Sequence, residues 1–233
     1  VTVDMQHGVQ DYLSCVACFQ GIQLSPATPM VRVPWNEPGI IGKVLDAGAM
    51  GVICPMVNTA AEARALAATC AGVRVWSLYV PNGRTVTDPH YQYKLEWLAA
   101  LQNTAQSWVA DNPAAEIALV GDWNIAPRDE DVWDMAVFAN STHVTEPERS
   151  AFAAIESTYA DVVRSFTPGE FTYWDYTQLR FPKRQGMRID FILASPALAH
   201  RVIHAEIVRD ERKSGKNRIG APSDHAPVFI EVR

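Results

Sequence analysis

IALVGDWNIAP, residues 117–127, is the stretch that decides the reading of this chain. Apolar residues 117–120 run as a strand, and Asp122 and Asn124 follow at its C-terminal end. Two residues apart on an extended chain, they fall on one face. An ionised Asp offers a hard oxygen anion, and an Asn amide can orient a water or a phosphate oxygen. Two such groups at a strand end suit Mg²⁺ chemistry. The same composition also fits an Asx turn closing a strand.

Working outward, residues 188–193 read RIDFIL and place Asp190 inside an otherwise apolar strand. A buried carboxylate costs several kcal/mol (roughly, by transfer) unless it is paired. The partner expected is a histidine; an ion pair with Arg188 is the alternative. Residues 223–228, SDHAPV, set Asp224 and His225 side by side ahead of a last strand. His225 can serve as acid, base or charge stabiliser, although an isolated His is more often structural. Taken together, carboxylates hold Mg²⁺, Asp122 and Asn124 position or activate water, and His225, oriented by Asp190, stabilises a phosphorane-like state. There is no GxSxG nucleophile motif.

Strands are expected at 1–4, 30–33, 51–57, 73–80, 116–121, 188–194, 202–209 and 227–232, and helices at 9–23, 38–47, 90–110, 130–138 and 147–157. Asn36 is the expected cap of the helix at 38–47. The alternation over 1–57 argues for parallel βα units. Residues 58–70 read either as an Ala-rich helix from Thr59 or as a strand over 64–70 that turns at Ala71-Gly72 to pair with 73–80; the strand is preferred. The coarse class is α/β, or α+β with mixed sheets.

The chain has 233 residues, 48% hydrophobic and 20% charged, which allows one large domain or two small ones. No apolar run of about 18 residues exists, so no membrane span is expected. The opening VTVDMQHG, which starts at Val1 rather than Met, lacks the marks of a signal peptide, so a fragment or a processed, cytoplasmic, nucleoid-associated protein is expected. Cys15 and Cys18 form a lone CxxC without the further ligands of a zinc site. Their spacing predicts two thiols on one helix face, buried and reduced. Net charge is −6, which is not that of a general nucleic-acid binder. Yet residues 180–218 are locally basic, with Arg180, Lys183 and Arg184 leading the run, and form either a rim for a phosphodiester or a solvated loop.

LYVPNG (78–83), GDWNIAP (121–127), RIDFILASP (188–196) and SDHAPV (223–228) occur in order. Jointly they closely resemble exonuclease III of the endonuclease/exonuclease/phosphatase superfamily, over about residues 62–233. The resemblance implies a two-sheet α/β sandwich, of which this chain carries the C-terminal half, and a Mg²⁺- or Mn²⁺-dependent 3′ exonuclease and abasic-site endonuclease of DNA repair. It implies Tyr79 on the phosphate, Asp122 and Asn124 at water and phosphate, Asp190 paired with His225, and Asp224 at the metal. FTYWDY (171–176) is similar to that family's aromatic loop, which implies Tyr173 and Trp174 on double-stranded DNA near an abasic site. Arg180 joins them from the basic run.

The family's N-terminal NxN-type Asn and its QE(T/S)K strand, whose Glu is the principal metal ligand, have no counterpart here. Instead residues 1–8 and 30–57 (MVRVPWNEPGIIGKVLDAGAMGVICPMV) are similar to HpcH/HpaI class II aldolases, which are (β/α)₈ barrels. That resemblance implies His7 as acid/base, Arg32 as the pyruvate contact and Asp46 as the partner of His7. The organisation expected is a partial barrel segment at 1–61, detached or loosely packed, and a nuclease region at 62–233. Three functions compete: a DNA nuclease, a divalent-metal aldolase and a non-catalytic chimera. The sequence leaves oligomeric state open, with a monomer favoured.

Overall fold

A computed structural model describes residues 1–6, 10–35, 37–54, 68–70, 72–139, 141–213 and 222–233. The chain divides into two compact units, Val1–Ala68 and Thr69–Arg233. In the first, β1 (Thr2–Asp4), α1 (Tyr12–Ile22), β2 (Met30–Arg32), α2 (Pro38–Asp46) and β3 (Gly51–Ile53) alternate. The strands form a parallel sheet in the order β1-β2-β3. Val3, Val31, Val33 and Val44 pack with Cys15 and Phe19 in its core. Three strands do not by themselves define a barrel.

Two local expectations are corrected here. Helix α1 buries Cys15 and Phe19, whereas Leu13 is 74% exposed and Cys18 is exposed. Positions i and i+4 lie closer in angle than i and i+3, so once Cys15 and Phe19 define the buried stripe, Cys18 falls outside it. Helix α2 is capped by Glu37, whose carboxylate accepts the N–H groups of Gly39 and Ile40, each at 2.8 Å. A negative charge over the helix N-terminus is favourable, which a cap by Asn36 would lack; Asn36 and His7 lie outside the described residues.

The division falls at the first residue of β4 (Ala68–Cys70), and the second unit goes on with β5 (Val73–Tyr79), α3 (Pro89–Asp111), β6 (Ile117–Asp122), α4 (Met135–Phe138), α5 (Glu146–Glu156), β7 (Ala160–Asp161), β8 (Asp190–Ala194), α6 (Pro196–Ala199), β9 (Val202–Ile207) and β10 (Val228–Val232). A five-stranded mixed sheet has the order β4-β5-β6-β8-β7, and β9 pairs with β10 in a separate antiparallel pair. β5 and β6 are parallel; β8 is antiparallel to both β6 and β7. This is the mixed α/β class expected. β4 stands next to β5, as the strand alternative required, while residues 64–67 and 71 lie outside the described residues.

Ala118, Ile192 and Ala194 of the large sheet share a core with Leu198 and with Ala205 and Ile207 of β9. On helix α3, Trp108 stacks on Trp76 of β5 at 4.1 Å between ring centres, with 15° between planes. Asp88 caps that helix and Pro89 opens it. The helix expected over 130–138 is instead a short 3₁₀ turn, Asp129–Asp131, followed by α4. Asp134 caps α4 by accepting from the Ala136 N–H at 2.9 Å, so the chain restarts there rather than running through. Among the described residues no helix is long and apolar enough to cross a membrane.

Candidate active site

Strands β5 and β6 end together, and β8 begins where they end. The register places Tyr79 opposite Asp122 and Asp122 opposite Asp190. Opposed residues on neighbouring strands share a face, so the three side chains form a row across the sheet. Gly121 makes this alignment possible. It sits at φ +136°, and a Cβ there would meet the Leu78 carbonyl oxygen at 2.0 Å.

His225 reaches the end of the row from the other pair of strands. Its Nδ1 lies 2.9 Å and 3.1 Å from the two oxygens of Asp190. The segment carrying it is fastened to residues 172–174: the Ala226 N–H donates to the Thr172 carbonyl at 2.7 Å, and the Trp174 N–H to the Asp224 carbonyl at 2.9 Å. The Thr172 hydroxyl accepts from the N–H groups of Ile189 and Asp190, both at 3.1 Å. The Tyr173 ring lies 4.9 Å from the His225 ring. Arg188 is no partner of Asp190; it pairs with Asp161 at 2.7 Å.

Burial and the neighbouring charge of Asp190 push the Asp122 carboxyl up to about 6, against the opposing pull of the Asn124 N–H, His225 and Lys94. Burial pulls His225 down, but its bond to Asp190 and the charges of Asp190, Asp122 and Asp224 hold it above the usual histidine range. Burial, with Asp175, Asp224 and Asp122, pushes the Tyr173 hydroxyl up to about 12. The site therefore pairs a carboxyl that holds its proton unusually long with an imidazole that favours the cation.

Asn124 has φ +50°, and its N–H and Nδ2 both donate to Asp122, at 2.8 Å and 3.1 Å. Its Oδ1 accepts from Asn82 Nδ2 at 3.1 Å. Beneath these lies a pair that sequence reasoning missed. Lys94 and Glu148 are both 0% exposed and ion-paired. Lys94 Nζ also donates to the carbonyls of Asn124 (2.7 Å) and Asn82 (3.3 Å). A signal existed for each: Thr145 to Glu148 is a capping box, and Lys94 shares a helix face with the buried Leu98.

Of the residues assigned to DNA, Tyr173 and Arg180 are partly exposed, but Trp174 is not at the surface. It is 1% exposed, held edge-on by Phe181 at 5.2 Å with Arg209 over its ring. The aromatic ring that this loop presents outward is Tyr176, at 58% exposed. Among the described residues the basic rim is also thinner than its residue count. Arg188 is buried against Asp161, Arg201 pairs with Glu116, Lys213 with Asp210, and Arg209 and Arg212 lie over aromatic rings. Lys183 and Arg184 remain exposed beside Arg180.

Of the aldolase-like residues, Arg32 is taken up by Asp4 across β1 and β2, and Asp46 is the exposed last residue of α2. Among the described residues no group of three or more His, Cys, Asp or Glu stands ready to hold a metal ion. Asp190 is engaged by His225 and Asp122 by Asn124. The oxygens of Asp122 and Asp224 fit Mg²⁺ or Mn²⁺ in kind. In number they fit an ion that keeps several waters and shares a substrate phosphate.

A mixed sheet whose strand ends carry carboxylates, with a histidine–aspartate pair closing the row, defines an α/β protein with an acid–base centre. The sequence profile of the Endonuclease/Exonuclease/phosphatase family matches residues 18–225, and the chain belongs to that family. It is 26% identical over 175 residues to an exodeoxyribonuclease of Bacillus subtilis, covering 73% of this chain and 64% of the relative. An AP endonuclease from Archaeoglobus fulgidus superposes with a TM-score of 0.66 at 31% identity, covering 75% of this chain and 68% of that one. A hydroxypyruvate/pyruvate aldolase of Rhizorhabdus wittichii is 49% identical over 67 residues, 29% of this chain and 27% of the relative. The chain thus spans less than two thirds of the length of these curated relatives. The family match begins inside the first unit, where the aldolase likeness lies; every residue of the row and of the His225 pair lies in the second.

Proposed function

We propose that this chain hydrolyses DNA phosphodiester bonds as a 3′ exonuclease and abasic-site endonuclease. The observation that carries this reading is the row Tyr79–Asp122–Asp190, closed by His225 on Asp190. We assign residues 62–233 to the nuclease and 1–61 to an aldolase-like segment. Double-stranded DNA, abasic sites above all, is the partner, bound by a monomer in the cytoplasm at the nucleoid. The exodeoxyribonuclease and AP endonuclease relatives support the substrate class.

Tyr79, 67% exposed at the end of β5, is free to donate its hydroxyl to a phosphate oxygen. Asp122 accepts the proton of the attacking water, and Asn124 orients it. A carboxyl with a raised affinity for protons is the stronger base. His225, held cationic and aligned by Asp190, neutralises the charge that builds on the phosphoryl oxygens. Asp224 is the residue we assign to Mg²⁺ or Mn²⁺, which supplies Lewis-acid polarisation of the phosphate when bound.

Nicking of an abasic duplex, with and without EDTA and against an Asp122→Ala control, tests the reading. Metal-dependent cleavage above the control is expected; cleavage no greater than the control sinks it. The aldolase likeness spans 27% of that relative and Arg32 is bound to Asp4, so we assign no lyase activity.

A further inference from the structure

Lys94 and Glu148 lie outside the row, yet both are fully buried, which is costly for two charges. Lys94 arrives from the first turns of α3, and its stem passes Gly83, where an added Cβ would come within 3.2 Å of Lys94 Cδ. An ammonium has three protons to donate. The three acceptors here are Glu148, the Asn124 carbonyl and the Asn82 carbonyl. Glu148 is filled in turn by the N–H groups of His143 (2.9 Å) and Thr145 (3.2 Å) and by the Thr145 hydroxyl. The two charged side chains are sealed from solvent, although Asn82 at the edge of the network is exposed.

Lys94 is thus bonded to the main chain of two asparagines whose side chains bond each other above it. One of them, Asn124, holds a left-handed backbone that a non-glycine residue adopts at a cost. Its side chain bonds Asp122 as well as the Val80 carbonyl. The carbonyls of two loops, after β5 and after β6, converge on one nitrogen, which adds a charged tie to the side-chain bonds between them.

We propose that Lys94, neutralised by Glu148, is a positioning residue that sets Asn82 and Asn124 over the scissile phosphate. It rests on the nuclease reading above. Lys94 does not touch the reacting atoms; it acts through the two asparagines. Substrate affinity, carried by exposed basic residues away from the two asparagines, is largely independent of it.

The test uses the full chain with Lys94→Met/Glu148→Gln, which removes both charges and leaves neither buried alone. A second variant, Lys94→Gln/Glu148→Gln, also leaves no charge buried alone and keeps a donor for one carbonyl. We expect kcat on abasic duplex to fall about tenfold to a hundredfold, with KM within about twofold, and a smaller fall for Lys94→Gln/Glu148→Gln. The side-chain amide NMR signals of Asn82 and Asn124 should move in both. A folded variant with parental kcat and unmoved amide signals overturns the proposal, as does failure of both variants to fold, which assigns the pair to folding alone. If the parent chain cleaves no abasic DNA, the nuclease reading fails by itself, and the amide signals decide whether Lys94 sets the asparagines.

Discussion

At the scale of single residues, Gly121 is the least open to change of the described glycines. It combines φ +136° with a Cβ position 2.0 Å from a neighbouring carbonyl oxygen, and that oxygen belongs to backbone that cannot swing aside. Gly121→Ala should lower stability by on the order of 3 kcal/mol or more, read as a fall in the urea midpoint. Asp122 offers a pH test. Its folded pKa of about 6 exceeds the ordinary 3.8. Between those values the folded state keeps a proton that the unfolded state has lost, so stability falls as pH rises from about 4 to about 6. Asp122→Asn lacks that loss. In EDTA the Tm of the variant minus that of the parent should climb between pH 4 and pH 7; a flat difference would contradict the burial of this carboxylate. The pairing of Asp190 with His225 could be anticipated because a carboxylate inside an apolar strand needs a partner, and the structure chooses the histidine over Arg188. The helix face shared with Leu98 marks Lys94 as buried but not its partner, which lies 54 residues away.

Among the elements, β7 and β8 are tied by charge as well as by hydrogen bonds. Arg188 makes two bonds to Asp161, at 2.7 Å and 2.9 Å, and both side chains are 3% exposed. Arg164 links the same Asp161 to Asp131 in the turn after β6. Asp161→Ala leaves Arg188 buried without its partner and should cost about 3–5 kcal/mol in urea unfolding, whereas Asp161→Leu with Arg188→Met should cost clearly less. Strand and long-helix positions followed from period and caps. The two-residue strand β7 and the broken 129–138 segment did not, because tertiary ion pairs and a local Asp134 cap, rather than periodicity, set their ends. Trp174 shows the same limit. An aromatic loop reads as a contact surface, but which ring turns inward depends on Phe181 and Arg209 beyond it.

For the whole molecule, a net charge of −6 opposes approach to DNA, so binding must draw on a local field. Among the described residues, Arg188 and Arg201 are already paired with Asp161 and Glu116, which reduces the cations open to that field. Affinity for duplex DNA should therefore fall with salt on a shallow slope. Replacing the exposed Lys183 and Arg184 by Gln should flatten the logarithmic slope by about 2 while leaving sequence preference alone. An unchanged slope would place the DNA elsewhere. Family membership was legible from four motifs. The placement of cations was not, because charge counts along a chain ignore which of them are already spent on one another.

The fastening of residues 223–226 to 172–174 has a consequence of its own. Two backbone bonds and one ring contact join His225's segment to the loop beside the sheet, while the row at the strand ends is built into β5, β6 and β8. Segments held by few bonds open at lower free energy than a central sheet. The amides of Trp174 and Ala226 should therefore exchange with deuterium faster than those of β6, and activity should be lost at lower urea than the far-ultraviolet dichroism; coincident transitions would show that the fastening is as strong as the sheet.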